Sequence, residues 1–374
     1  MNTRNIRFRS NRVRDILSLY HEELDPLYGP GEVAAFGEML FEAFLGWDRV
    51  KLLTSKDHTV NQSDLLRLHW ALEDLRRHRP IQHIIGHVDF CGCRIAVSPD
   101  VLIPRPETEE MVDFLVESGE WRVESGERRV ENGEWRVESG EWKAENGEWR
   151  TENGEWRTEN GERRVENGER RTKSHRGQAL STLRSPLSTP RVLDLCTGSG
   201  CIAIALKKAF SGADVTAVDI SPAALAIARQ NALENAAEVN FVQSDILATP
   251  KEENKEENKE KNREEKNFNF QFSIFNLIVS NPPYVRQSER AAMQRNVLDY
   301  EPPLALFVPD DDPLRFYRAI AAIAARCLAP RGLLALEINE ALAADTCALL
   351  ARYGFAAAVH RDFRGRDRFL TATR

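Results

Sequence analysis

From Arg191 to the C-terminus, short apolar runs of strand length alternate with longer stretches of helical periodicity, and this rhythm restricts the possible folds more than any other feature of the chain. RVLDLC, DVTAVDI, VNFVQSD, FNLIVSN and GLLALEIN are nearly continuous in apolar residues. Strands of that composition are buried on both faces, as in a parallel sheet covered by helices. Between them, CIAIALKKAF, PAALAIARQNALENA and PLRFYRAIAAIAARCL repeat apolar residues at spacings of three and four. The expected class is therefore α/β, with ligands bound beyond the carboxyl ends of the strands.

The segment ahead of this region reads differently. Residues 11–79 are rich in Leu, Arg, Glu and Ala at helical spacing, broken by Pro26, Gly29, Pro30 and Gly31 and ended by Pro80, so residues 1–80 are expected to form a small helical domain. Leu65, Leu68, Leu72 and Leu75 mark one face of a helix, with Asn61 or Ser63 as its cap and Trp70 off that face. Residues 81–103 alternate apolar and polar about Gly92 and suggest a β-hairpin linker. A short helix follows Pro104 and Pro106, opened by Thr108 with Glu109 and Glu110 in its first turn, and residues 104–374 form the second domain.

Two polar segments interrupt that second domain. Residues 116–171 are eight copies of a seven-residue repeat (VESGEWR, VENGEWR and variants), and residues 251–266 are a Lys/Glu/Asn run. The repeat has the period of a coiled coil, but Gly recurs at its fourth position and two apolar seams are missing. Five of the seven tryptophans lie in it, yet its composition favours disorder or weak helix in a surface loop. Setting aside the −5 and −1 of these segments reduces the formal charge of −7 to −1 over the remaining 302 residues. A nearly neutral remainder argues against a nucleic-acid footprint. With no apolar run of membrane-spanning length and six scattered cysteines, the chain reads as a cytoplasmic protein with reduced thiols and no membrane partner.

Two motifs carry chemistry. Asp194–Gly200, DLCTGSG, follows a strand and opens a helix, where glycines let a ligand approach the backbone and a helix N-terminus offers N–H groups. Asp219 ends the next strand, 19 residues after Gly200, where a carboxylate can accept both ribose hydroxyls. Gly198, Gly200 and Ala203 also satisfy GxGxxA, so these residues alone fit an NAD-dependent oxidoreductase as well as an adenosyl-ligand enzyme. The second motif, Asn281-Pro282-Pro283-Tyr284, follows an apolar strand directly. Proline cannot continue a ladder, so the chain leaves the sheet at its ligand-binding edge and presents carbonyl and amide oxygens there. This arrangement offers two acceptors for a substrate NH2 and no proton-abstracting base. Neither HExxH nor GxSxG nor a cluster of histidines is present, and no metal is expected.

The ordered set IPRPETEE, DLCTGSG, AVDIS, SNPPY and YEP resembles the HemK/PrmC family of release factor glutamine methyltransferases, over nearly all the chain outside the two insertions. The resemblance implies a seven-stranded, Rossmann-like methyltransferase domain that uses S-adenosylmethionine to methylate the side-chain amide of the Gln in the GGQ motif of class I release factors. It implies cofactor contacts at Cys196, Thr197, Gly198, Ser199, Gly200, Asp219, Asp245, Ile246 and Asn281, and a substrate grip at Asn281, Pro282, Pro283 and Tyr284. Asn281 and Pro282 would hold the reacting amide, and Arg105, Glu107 and Thr108 would close over the cofactor side. Cys196 stands where many members carry Gly. The alternatives are a ribosomal-protein glutamine methyltransferase, which shares NPPY without PRPETEE, a DNA adenine methyltransferase, and a binding protein whose catalysis the repeats have disabled.

Overall fold

The computed structural model describes residues 8–119, 189–248 and 274–374, together with the backbone of five short strands between residues 129 and 158. The Lys/Glu/Asn run lies outside the described residues. Residues 1–121 and 191–374 form one compact unit and residues 122–190 another.

The N-terminal helices are α1 (Val13–Tyr28), α2 (Pro30–Leu45), α3 (Arg49–Thr54) and α4 (Gln62–Arg76). They share a core of their own, in which Leu68, Leu72 and Leu75 of α4 pack with Ile16, Leu24, Leu40 and Phe41. Asn61 caps α4 by accepting from the Asp64 N–H at 2.8 Å, while Trp70 stands 59% exposed. Residues 81–103 differ from a single hairpin. Ile81–Ile85 forms helix α5, because Pro80 starts it and Gly86 ends it at φ 92°, a left-handed stop that glycine takes without strain. Only β1 (His87–Phe90) and β2 (Cys93–Ala96) pair, across a turn with positive φ at both Cys91 and Gly92.

Helix α6 (Pro106–Ser118) begins with Pro at its first position, not at Thr108. Thr108 lies inside the first turn and is buried. The sheet comprises β3 (Arg191–Leu195), β4 (Asp214–Asp219), β5 (Val239–Gln243), β6 (Phe275–Ser280), β7 (Leu328–Glu337), β8 (Ala356–Arg361) and β9 (Asp367–Thr373). Their order is β5-β4-β3-β6-β7-β9-β8, parallel except for β9, which runs antiparallel to both neighbours. Strand order reverses between β3 and β6, the position where open α/β sheets leave a crevice for ligands. Helices α6, α7 (Cys201–Ala209) and part of α8 (Pro222–Glu234) cover one face of the sheet. After α9 (Arg295–Tyr300) and α10 (Pro303–Leu306), helices α11 (Arg315–Cys327) and α12 (Ala343–Arg352) cover the other. No helix among the described residues is long and apolar enough to cross a membrane.

Residues 116–118 of the repeat end helix α6, and the other described segments of the repeat are strands where disorder or weak helix was expected; the rest of it lies outside the described residues. Arg129–Glu131 pairs antiparallel with Glu134–Arg136, and Trp142–Glu145 with Glu148–Thr151 and, in parallel, with Arg157–Thr158.

Candidate active site

The DLCTGSG loop owes its shape to backbone positions that few residues adopt: φ is 60° at Cys196, 54° at Gly198 and 81° at Gly200. A Cβ on Gly200 would approach Ala228 Cβ of α8 to 3.1 Å and Ile204 Cδ1 to 3.2 Å, so this glycine serves close helix packing. At Gly198 a Cβ would meet nothing within 4 Å, and the backbone there borders open space. Asp194 is fully buried and accepts the Thr197 hydroxyl at 2.5 Å; burial pushes its carboxyl up to about 7. Asn231 of α8 reaches the Ser199 carbonyl at 2.9 Å and also pairs with both backbone groups of Ala96, which ties the loop and the hairpin to one helix.

Asp219, at the end of β4, accepts the Gly198 N–H at 2.8 Å and the Ser221 N–H at 2.9 Å, one on each oxygen. Each oxygen keeps a second lone pair. Burial raises its carboxyl above the usual range, with those two N–H groups working against the rise. At the end of β6, Asn281 donates through Nδ2 to the Thr108 hydroxyl oxygen at 3.1 Å. Thr108 in turn donates to Glu337 Oε2 at 2.6 Å, and the Tyr284 hydroxyl donates to Glu337 Oε1 at 2.8 Å. Glu337 is buried, and burial raises its carboxyl above the ordinary range.

A cavity of about 370 Å³ opens at the crevice between these strand ends. Of the expected site residues, Cys196, Thr197, Gly198, Ser199, Asp219, Asp245, Ile246, Asn281 and Pro283 line it. Gly200, Pro282 and Tyr284 do not; Gly200 packs against α8, Pro282 is buried, and the Tyr284 hydroxyl points to Glu337. Arg105 and Thr108 line it and Glu107 does not. Arg105 pairs with Glu301 Oε1 at 2.5 Å, and Glu301 Oε2 takes the Ile103 N–H at 3.1 Å, so YEP clasps PRPETEE beside the cavity. Sequence reasoning left Glu337, and the wall residues Leu304, Phe307 and Phe316, without a role. A glutamate at the carboxyl end of an otherwise apolar strand, GLLALEIN, was the signal available for Glu337.

Residues 192–257 match the family model described as a methyltransferase domain, and residues 29–86 the one described as the PrmC N-terminal domain. The chain is 34% identical to the release factor glutamine methyltransferase of Bacteroides thetaiotaomicron, over 96% of its own length and 99% of that protein. The chain belongs to the release factor glutamine methyltransferase family. Enzymes of the same name from Flavobacterium psychrophilum (32% identical; 96% of this chain, 98% of that one) and Deinococcus radiodurans (30%; 97% and 99%) agree over the same extent. A family member of this kind is an S-adenosylmethionine-dependent methyltransferase, and the cavity's chemistry fits that ligand. Asp219 offers lone pairs to a ribose diol, Ile220 and Ile246 offer apolar surface to a flat base, and the bare backbone at Gly198 leaves room for close approach.

Proposed function

We propose that this enzyme methylates the side-chain amide nitrogen of the Gln in the GGQ motif of class I peptide release factors. The observation that carries the reading is the Asn281 side chain, which lines the cavity shared with Asp219 and turns its NH2 to Thr108, leaving Oδ1 as the acceptor. Among the described residues, no hydrogen bond reaches the Pro282 carbonyl. Asn281 Oδ1, on the cavity wall, is assigned to one N–H bond of the substrate amide, and the Pro282 carbonyl, held behind that wall between Asn281 and Pro283, to the other, which the substrate meets once it is seated.

The cofactor, when bound, supplies a methyl group on positively charged sulfur. The protein's task is orientation, because an amide nitrogen is a poor nucleophile whose lone pair is delocalised into its carbonyl. Acceptors on both N–H bonds fix the amide plane and so aim the lone pair, which stands normal to that plane. Holding reactants this way is worth at most ~7–11 kcal/mol. Once the methyl has bonded to nitrogen, the extra proton there is strongly acidic and passes to water, because the two acceptors are too weakly basic to keep it. Cys196, Thr197, Gly198, Ser199, Gly200, Asp219, Asp245 and Ile246 are assigned to the cofactor, and Pro283 and Tyr284 to the walls and backing of the substrate slot. We assign the helices of residues 1–80 to docking the release factor, and the enzyme to the cytoplasm with it.

The test is mass spectrometry of the GGQ peptide after unmodified release factor is incubated with the enzyme and S-adenosylmethionine. One methyl on the Gln is expected, with Asn281→Ala lowering kcat by about 100-fold or more and leaving cofactor affinity within about threefold. Methyl transfer to a ribosomal-protein glutamine instead, with none to the release factor, would overturn the reading.

A further inference from the structure

An asparagine amide presents an oxygen on one side and an NH2 on the other, and a half-turn about its last bond exchanges an acceptor for two donors with almost no change of shape. Where the substrate's reacting group is itself an NH2, one of those two orientations grips it and the other repels it. We propose that Thr108, Glu337 and Tyr284 are positioning residues that set the Asn281 amide with its oxygen toward the substrate. The inference rests on the reading of Asn281 as the substrate acceptor.

Polarity along the chain of bonds is fixed from its buried end. Glu337 is 1% exposed; against the rise that burial causes, the Thr108 and Tyr284 hydroxyls and the nearby Arg368 guanidinium favour its charged form, and in that form it can only accept. Its two oxygens take the Thr108 hydroxyl at 2.6 Å and the Tyr284 hydroxyl at 2.8 Å. A hydroxyl has one hydrogen. Thr108 has spent its hydrogen on Glu337, in a short charge-assisted bond, so its oxygen faces Asn281 as an acceptor. Asn281 must therefore offer Nδ2, at 3.1 Å, and Oδ1 is left for the substrate. Tyr284 is held at its other end, where its carbonyl accepts from Asn339 Nδ2 at 3.1 Å. Asn339 is itself anchored by the Glu289 carboxylate at 3.0 Å. Asn281, Thr108 and Glu337 come from a loop, from α6 and from β7, 173 and 229 positions apart along the chain in the two bonds. The threonine of PRPETEE is thus tied to the asparagine of NPPY by a bond whose direction a distant glutamate decides.

Thr108→Val keeps shape and removes the hydroxyl; Thr108→Ser restores it. Valine is expected to lower kcat for methylation of the release factor by about 10- to 100-fold with cofactor affinity within about threefold, and serine to recover most of that loss. In an Asn281→Ala background, Thr108→Val should cost nothing further, because there is no amide left to orient. An additive loss there would overturn the proposal. A second arm needs no substrate. In enzyme labelled with 15N-asparagine, the Asn281 side-chain NH2 signal, identified by its absence in Asn281→Ala, should be slow to exchange and should lose that protection in Thr108→Val. An unchanged signal would refute the relay even if the release factor proved not to be the substrate, whereas failure of the wild-type enzyme to methylate it would count against the substrate reading alone. Should the valine variant not fold, Tyr284→Phe removes the other donor to Glu337. A roughly three- to tenfold fall in kcat, absent in the Asn281→Ala background, is expected there, and independent losses would again overturn the proposal.

Discussion

Cys196 holds φ at 60°, a left-handed position that costs a side-chain-bearing residue roughly 1–2 kcal/mol and glycine almost nothing. That explains why a glycine would suit the position, and it yields a comparison free of most packing effects. Cys196→Gly and Cys196→Ala both remove the thiol, but alanine keeps the strain. The glycine variant is expected to be the more stable of the two by about 1 kcal/mol in denaturant titration, and the reverse order would show that the strain is not paid at this site. Asp194 offers a second test. Its carboxyl is pushed up to about 7, so the folded protein binds a proton there that the unfolded chain, with an ordinary aspartate, does not. The stability this confers is complete below the unfolded value near 4 and is lost as pH rises through about 7. Between pH 6 and pH 8 the parent should lose about 1 kcal/mol that Asp194→Asn does not lose, read as the difference between their melting-temperature profiles. At this scale the sequence was most legible where backbone geometry is local. Glycines and Asp219 stand where a strand-loop-helix turn requires them, but nothing near Glu337 announces that it receives the Thr108 hydroxyl from 229 positions away.

Among the elements, those with strong periodicity or unambiguous punctuation were readable, and those decided by a stop signal or a turn were not. Helix α4 has its apolar face and its Asn61 cap where spacing puts them, because both are properties of neighbours in sequence. Helix α5 was misread as strand because IQHII carries no period long enough to separate helix from strand, and the deciding feature is the left-handed stop at Gly86. The antiparallel pairing of β9 with β7 and β8 depends on long-range register that local pattern does not encode. The junction of the glycine loop with α7 and α8 makes an element-scale prediction. Gly200→Ala would force a Cβ to 3.1 Å from Ala228 at φ 81°, so α7 and α8 must separate or the loop must shift. The variant should melt lower, by roughly 2 kcal/mol of stability, and bind S-adenosylmethionine about tenfold more weakly in calorimetry, because Thr197, Gly198 and Ser199 move with the loop. A variant that melts lower but binds the cofactor unchanged would separate the packing role from the site.

For the molecule as a whole, architecture was legible because strands β3 to β7 and the helices α7, α8 and α11 between them are rich in apolar residues, and the polar segments do not fall within any of those strands or helices. The repeat begins in the last turn of α6 and ends before β3, and the Lys/Glu/Asn run lies between β5 and β6, so neither alters which strands are neighbours. The described residues that line the cavity belong to the compact unit of residues 1–121 and 191–374. Removing residues 120–172 leaves 173–190 to join α6 to β3, and 18 extended residues can span roughly 60 Å. Loop closure depends only weakly on length, so shortening the connection about fourfold favours the folded state by about 1 kcal/mol at most. The shortened enzyme is therefore expected to melt no lower than the parent, to bind S-adenosylmethionine equally well and to methylate release factor with kcat/KM within about threefold. A shortened enzyme that folds and binds the cofactor but turns over slowly would mean that the repeat takes part in docking the protein substrate. A loss of cofactor binding would instead mean that it supports the cavity wall.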